Sequence, residues 1–386
     1  MTFNAFEFRT VASIEMAWEG ASRLGERLVA LFGHRRVLMI TDAGLVKTGL
    51  VGPVEESLKR AGLDVVLFDS VTADPPEEVV LACVKQGREA GAGIVLGLGG
   101  GSSLDVAKVA AICLGSDQPL EEMYGVDRVR GTRLPLVLVP TTAGTGSEVT
   151  NVAVITRDGT TKMGVVATQL YADHVLLDAA LTLGLPPLHT AATGIDAMVH
   201  AIEAYTGKIR KNPLSDRLAL SALPMLGANL VKACRVPSDR AAREAMLLGA
   251  MLAGQAFANS PVGLVHGMAY PLGGFFHVPH GLSNALMLGP VLRFNAVVAA
   301  PLYAELALAM GVSQGGTQAQ QAEAFISFME TLMEESGLPR RLRDVGVTED
   351  AIGKLAADAI THQRVLVNNP RSVTEEEMRS LYRQAF

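Results

Sequence analysis

Cysteine, aromatic residues and clustered basic residues are all scarce in this 386-residue chain, and each scarcity closes off a class of protein. Three cysteines, Cys83, Cys113 and Cys234, lie far apart and are odd in number. That excludes a disulfide scaffold or a thiolate metal site and predicts small buried hydrophobes in a reducing cytoplasm. There is no long basic run and no interleaving of basic with aromatic residues, and the net charge is −6. Nucleic acid is therefore not an expected partner. The first ten residues have no basic stretch leading into an apolar one, so no secretory signal is expected. The apolar segments 246–258 and 296–312 are short or interrupted by Gln255, Pro301 and Glu305, and no membrane span is expected from them.

What is abundant is apolar residue and glycine: 49 % of the chain is hydrophobic and 39 residues are glycine. That composition suits a tightly packed enzyme, and the length suits two domains. Up to about residue 185, short apolar runs alternate with helical stretches. Residues 36–41, 64–69, 93–98 and 134–140 read as buried strands, with helices predicted over 51–61, 77–90 and 102–113. Shorter strands are predicted over 152–156, 162–166 and 175–177. Continuous apolar strands alternating with helices predict a parallel sheet covered on both faces. From Pro187 the texture becomes helical throughout, with helices predicted over 190–205, 213–233, 240–258, 319–336, 348–362 and 374–384. The expectation is an α/β domain over residues 1–186 and an all-helical domain over 187–386, with a ligand held between them.

Two loops at strand ends carry chemistry. Residues 97–108 read GLGGGSSLDVAK, directly after a buried strand and opening a helix. Glycines let a phosphate approach the backbone, and the free N–H groups of a helix start bind anions. Ser102 is the expected cap of that helix, with Asp105 in its first turn. The pattern is neither G-x-G-x-x-G nor a Walker loop. Residues 140–150 read PTTAGTGSEVT, a second polar loop at the carboxyl end of a strand, where open α/β sheets bind ligands. Asp42, after the first strand, is placed either to accept from a ribose hydroxyl and repel a 2′-phosphate, favouring NAD over NADP, or simply to cap a turn.

In the helical half, GIDAMVH places Asp196 and His200 four residues apart, on one helix face. A buried carboxylate needs a partner, a hydrogen bond or a metal. Downstream, GLVHGMAYPLGGFFHVPHG supplies His266, His277 and His280. One aspartate and three histidines compose a site for a divalent transition metal, and a satisfied buried pair is the plainer alternative.

Taken together, GGGSSLD, PTTAGTGSEVT, GIDAMVHAIEAY and the outer two histidines of HGMAYPLGGFFHVPH resemble the iron-containing (group III) alcohol dehydrogenase family, in order and over residues 5–385. The resemblance implies a Rossmann-like NAD-binding domain followed by an all-helical metal-binding domain, a dehydroquinate synthase-like fold. It implies Asp196, His200, His266 and His280 as ligands to Fe²⁺ or Zn²⁺. It further implies a cofactor site lined by Gly99, Gly100, Gly101, Ser102, Ser103, Thr141, Thr142, Thr145, Thr150, Lys162 and Leu181, with Asp42 selecting NAD. The implied reaction is hydride transfer between nicotinamide and a small aliphatic alcohol, diol or aldehyde, in a homodimer or larger homo-oligomer. One position departs from the pattern. Many members carry a second histidine four residues after the first, where this chain has Tyr270. Tyr270 and His277 are thus the two candidates for a proton relay. Two rival readings use the same fold: a metal-independent reductase resembling the maleylacetate reductases, and a non-redox lyase of the dehydroquinate synthase type. The intact aspartate–histidine set opposes the first, and the lack of a basic cluster around it opposes the second. A regulatory NAD-binding protein without turnover is the remaining alternative.

Overall fold

The computed structural model describes residues 5–159 and 161–386, which divide into two compact units. One unit is α/β and comprises residues 10–142 and 146–184; the other is helical and comprises residues 5–9, 143–145 and 185–386.

In the α/β unit, chain order runs β1 (Ile14–Met16), α1 (Leu24–Phe32), β2 (Val37–Ile40), α2 (Ala43–Lys47), α3 (Val51–Arg60), β3 (Val65–Phe68), α4 (Glu77–Ala90), β4 (Ile94–Gly99) and α5 (Gly101–Gly115). It continues through β5 (Gly125–Val126), β6 (Leu136–Pro140), β7 (Val152–Arg157), β8 (Thr161–Val166) and β9 (His174–Leu177). Six strands form one sheet in the order β1-β9-β6-β4-β2-β3, and every pairing is parallel. Leu96 at its centre stands opposite Met39 on one side and Val137 on the other, and all three are fully buried. A strand covered on both faces has no reason to alternate polar with apolar residues, which is why these runs are apolar throughout. The later strands β7 and β8 do not join this sheet. They pair antiparallel in a separate three-stranded sheet, β5-β8-β7.

After β2 the chain adds β3 on one side and then returns to place β4 on the other. The order reverses there, and ligands of open α/β sheets bind beyond the carboxyl ends of strands at such a reversal. Asp42 follows β2 by two residues and Gly99 ends β4 at this point. Gly99 has φ +153°, and a Cβ there would lie 2.7 Å from Ser103 Oγ and 3.8 Å from Asp42 Oδ2. Only glycine fits that conformation and that space. The start of α5 differs from expectation. The helix opens at Gly101 with Gly100 as N-cap, so Ser102 lies inside it, makes no side-chain cap, and Asp105 falls beyond the first turn. The glycine run itself turns the chain, leaving a serine cap without a role.

The helical unit contains α6 (Pro187–Thr206), α7 (Pro213–Arg235), α8 (Arg240–Asn259), α9 (Leu264–Phe276), α10 (His280–Ala309), α11 (Gln318–Glu335), α12 (Ile352–Ala359), α13 (Gln363–Leu366) and α14 (Glu375–Ala385). α6 is buried from Thr190 to Thr206 except at Thr193, so it forms the unit's axis. α10 absorbs Pro290 and Pro301 and runs 30 residues. It is long and apolar enough to cross a bilayer, contrary to expectation, yet half of its most apolar window is buried inside this unit. The helix expected over 348–362 splits: a 3₁₀ turn over Glu349–Ala351 leads into α12, and His362 becomes the N-cap of α13.

Candidate metal and cofactor sites

Three helices meet at Asp196. Asp196 and His200 occupy successive turns of α6, His266 lies in the first turn of α9, and His280 is the first residue of α10. Close approach of α10 to α6 depends on Gly281, where a Cβ would stand 2.4 Å from the Ala192 carbonyl oxygen. One donor atom from each of the four side chains lies within 4.8 Å of all the others. Nε2 of His200, His266 and His280 stand 4.0, 3.9 and 3.6 Å from Asp196 Oδ1. Tetrahedral donors bound at about 2.1 Å would be roughly 3.4 Å apart. The four donors therefore already stand near metal-ligand spacing, with three of the side chains buried and His280 43 % exposed.

Electrostatics favour the ligand forms. Burial alone would raise the Asp196 pKa, but the neighbouring His200, His280 and His266 and a hydrogen bond from Asn284 hold it below the ordinary aspartate value. Burial lowers His200 to about 3, with Asp196 opposing and His266 and His280 adding to the effect, so its ring is neutral. His200 is stacked between Phe257 at 4.2 Å and His266 at 4.8 Å, which fixes its plane. Asn284, one turn into α10, has Nδ2 2.5 Å from Asp196 Oδ1 and 3.2 Å from both His266 Nε2 and His280 Nε2. An amide nitrogen has two hydrogens to offer. In the tautomers that leave both ring Nε2 atoms without hydrogen, three acceptors converge on it, more than its hydrogens can satisfy, and a cation would satisfy that set.

Tyr270, a turn after His266, lies 6.2 Å from the His280 ring and 5.2 Å edge-on from His362 (centroid to centroid). Burial pushes its pKa up to about 12; the nearby Arg364 charge opposes that shift, and Glu203 and Asp196 add to it. His277 ends α9 in the left-handed conformation and is exposed, with no hydrogen bond or ring contact to the four donors. Two buried residues escaped the sequence reading. Glu203 lies three residues past His200 and accepts from His266 Nδ1 at 2.7 Å. Spacing of 196, 200 and 203 on one helix face was the available signal. Asn284 follows His280 by one turn, and the same spacing marks it.

At the sheet's carboxyl ends, Asp42 is the N-cap of α2 and accepts from Leu45 N–H at 2.8 Å. Gly99, Gly100, Gly101, Ser102 and Ser103 form the β4–α5 turn, and Thr141 N–H donates to the Gly99 carbonyl at 3.0 Å. Thr142 lies close by, its Cγ2 3.5 Å from where a Gly100 Cβ would stand. Thr150 is buried and accepts from Lys108 Nζ at 3.1 Å. Lys162 is ion-paired with Asp74 on the small sheet, and Leu181 is buried after β9. Thr145 belongs to the helical unit.

Residues 14–179 match the family described as Iron-containing alcohol dehydrogenase, and residues 190–386 match Fe-containing alcohol dehydrogenase family, C-terminal. Long-chain-alcohol dehydrogenase 1 of Geobacillus thermodenitrificans is 38 % identical over 362 residues, covering 93 % of this chain and 91 % of that protein. The crystal structure of a 1,3-propanediol oxidoreductase superposes with TM-score 0.95 at 34 % identity, covering 99 % of this chain and 100 % of the other. A sulfoacetaldehyde reductase from Bifidobacterium kashiwanohense, solved in complex with NAD⁺, superposes with TM-score 0.89 at 26 % identity, covering 99 % of each chain.

Proposed function

The chain belongs to the iron-containing alcohol dehydrogenase family and is an NAD-linked alcohol dehydrogenase, and from that premise we propose which of its residues do the work. Asp196, His200, His266 and His280 hold the Fe²⁺. Asp42, Gly99, Gly100, Gly101, Ser102, Ser103, Thr141, Thr142, Thr145, Thr150, Lys162 and Leu181 line the NAD site. The observation that supports the metal assignment is the convergence of one donor atom from each of the four side chains within 4.8 Å of all the others.

When bound, the metal supplies Lewis-acid polarisation of the alcohol or carbonyl oxygen, and NAD supplies the hydride acceptor. The protein's own part is to keep the ligands in their binding forms. Asp196 stays ionised, and His200 stays neutral through the physiological range. With one carboxylate and three imidazoles as its ligands, a bound divalent ion would keep net positive charge, and the chemistry it would supply is stabilisation of negative charge on a substrate oxygen. Tyr270 keeps its proton at neutral pH and so serves as a hydrogen-bond donor beside His280 rather than as a base. At the sheet, Asp42 offers a carboxylate to a ribose, and the α5 N-terminus offers free N–H groups to phosphate.

The substrate is a short aliphatic alcohol or diol, or the corresponding aldehyde. The 1,3-propanediol oxidoreductase that shares this fold almost throughout supports that size class. The three buried free thiols suit a reducing cytoplasm, where the enzyme works as a homodimer or larger homo-oligomer.

The test is metal analysis joined to turnover. Protein as purified should carry about one metal per chain and form NADH from short alcohols and diols. Chelator stripping should abolish turnover, and Fe²⁺ should restore it. Undiminished turnover by metal-free protein would refute the assignment.

A further inference from the structure

We propose that Glu203 is a positioning residue of the metal centre, holding His266 in the Nδ1–H tautomer so that its Nε2 lone pair points at Asp196 and His280. This rests on the reading that the four donors hold the metal. The Glu203 side chain is 6 % exposed and has no lysine or arginine partner among the described residues; its one ion-pair contact is His266. Oε1 accepts from Val265 N–H at 2.6 Å, while Oε2 accepts from Gly263 N–H at 2.9 Å and faces His266 Nδ1 at 2.7 Å. Two backbone hydrogens already point at this carboxylate, so it acts purely as an acceptor, and the hydrogen between it and His266 resides on Nδ1.

The far side of the ring gives the same answer independently. Asn284 Nδ2 lies 3.2 Å from His266 Nε2 and can only donate, so Nε2 presents its lone pair. A ring proton on Nε2 would oppose both contacts at once and would occupy the ligating position. A carboxylate behind a ligating imidazole fixes its orientation and raises its basicity.

Glu203 also ties two helices together. Gly263 is the N-cap of α9 and Val265 lies in its first turn, so the carboxylate from α6 caps the start of the helix that carries His266. An unsatisfied helix start carries partial positive charge, which opposes a nearby cation. Glu203 offsets that charge beside the site. A residue that only capped α9 would have no need to face the ring.

Glu203→Gln separates the two roles. The amide keeps the size and one acceptor for the α9 backbone, but its NH₂ facing Nδ1 donates there and moves the ring proton to Nε2. Zn²⁺ affinity, measured by competition with a chromophoric chelator, should weaken about 10- to 100-fold. NAD affinity should stay within about twofold. In ¹⁵N-histidine-labelled metal-free protein, the His266 signals, assigned by their loss in His266→Ala, should report Nδ1–H in the parent and Nε2–H in the variant. The parent spectrum alone carries the test if the variant does not fold. An Nε2–H parent ring, or equal Zn²⁺ affinity in parent and variant, overturns the proposal while leaving the ligand assignment standing. Failure of the parent protein to bind Zn²⁺ overturns the ligand assignment and this proposal with it.

Discussion

In the α/β unit Lys108, Asp105 and Glu148 are buried together, and in the helical unit Asp196, Glu203 and three histidines are buried together, but the two clusters balance charge differently. Lys108 Nζ donates to Thr150 Oγ1 at 3.1 Å and to the Val152 carbonyl at 2.8 Å, and stands 3.7 Å from Asp105 Oδ1. Asp105 also accepts from Ser147 Oγ at 2.6 Å and Val154 N–H at 2.9 Å. Burial drives each group toward neutrality, Lys108 down to about 8, Glu148 up to about 7 and Asp105 upward, while the opposite charges restrain those shifts. This cluster supplies its own cation. The helical cluster has two carboxylates and three imidazoles, and neither carboxylate has a lysine or arginine ion-pair partner among the described residues. Buried charge that finds its counter-charge inside the chain is structure; buried acceptors that do not are a place for something from outside.

The comparison breaks most sharply under charge removal. Asp196→Asn should reduce bound metal below a tenth of the parent and lower kcat/KM more than about 100-fold, an effect of roughly 3 kcal/mol or more. Stability of the metal-free protein should hold or rise, because an uncompensated carboxylate has gone. Lys108→Met should do the reverse. It strands two acids, so stability of the α/β unit should drop by about 3 kcal/mol while bound metal is unchanged. Metal analysis and urea unfolding of both variants check the contrast, and equal metal loss in the two would erase it.

A smaller contrast lies in pH dependence. His200 titrates near 3 in the folded protein against an ordinary value of 6.5. Below pH 6.5 the unfolded chain takes up a proton there that the folded chain refuses, so this contribution is complete above pH 6.5 and is lost as pH falls toward 3. Lys108 titrates near 8 against 10.5, so the folded state gains stability as pH rises from 8 to 10.5. For metal-free protein, His200 should contribute a loss of about 1–2 kcal/mol to urea-unfolding stability between pH 6.5 and 5. Glu148, raised to about 7 by burial, contributes in the opposite sense over the same range, so the His200 contribution is read as the difference between parent and His200→Asn. His200→Asn should remove that contribution and leave the alkaline rise in place, whereas Lys108→Met should remove the alkaline rise and leave the His200 contribution in place.

The two halves also differed in how plainly the sequence revealed them. Strands β2, β4 and β6 are continuous apolar runs ended by turn residues, and their positions follow to within two residues. α4 follows at both ends, since Glu77 and Glu78 open it and Gly91 closes it in the left-handed conformation. In the helical unit α9 was not legible as a helix, because Pro271 and paired glycines argue against one, and burial of its face outweighs that propensity. α10 hid its length behind Pro290 and Pro301 in the same way. The four donors were visible because aspartate and histidine are conspicuous in apolar helices. Glu203 was not, since a glutamate on a helix ordinarily faces water, and only the position of α9 shows what it touches. His362 reaches Tyr270 from a helix cap nearly a hundred residues away in sequence, a proximity no local pattern encodes.

The smallest effect expected is at Asp42, where the proposed NAD contact meets a local structural role. Its Oδ1 caps α2 through Leu45 N–H, and its Oδ2 faces the Gly99 turn. Replacing an aspartate cap by glycine costs only a few tenths of a kcal/mol. Asp42→Gly therefore leaves stability nearly intact while removing the charge that would repel a 2′-phosphate. The ratio of kcat/KM for NADP to that for NAD should rise about tenfold, close to 1.4 kcal/mol of discrimination. Most of the change should appear in KM for NADP, because the proposed contact of Asp42 is with the ribose and not with the nicotinamide. An unchanged ratio would leave Asp42 with the cap alone, and the self-balanced character of the α/β unit would then extend to the end of β2.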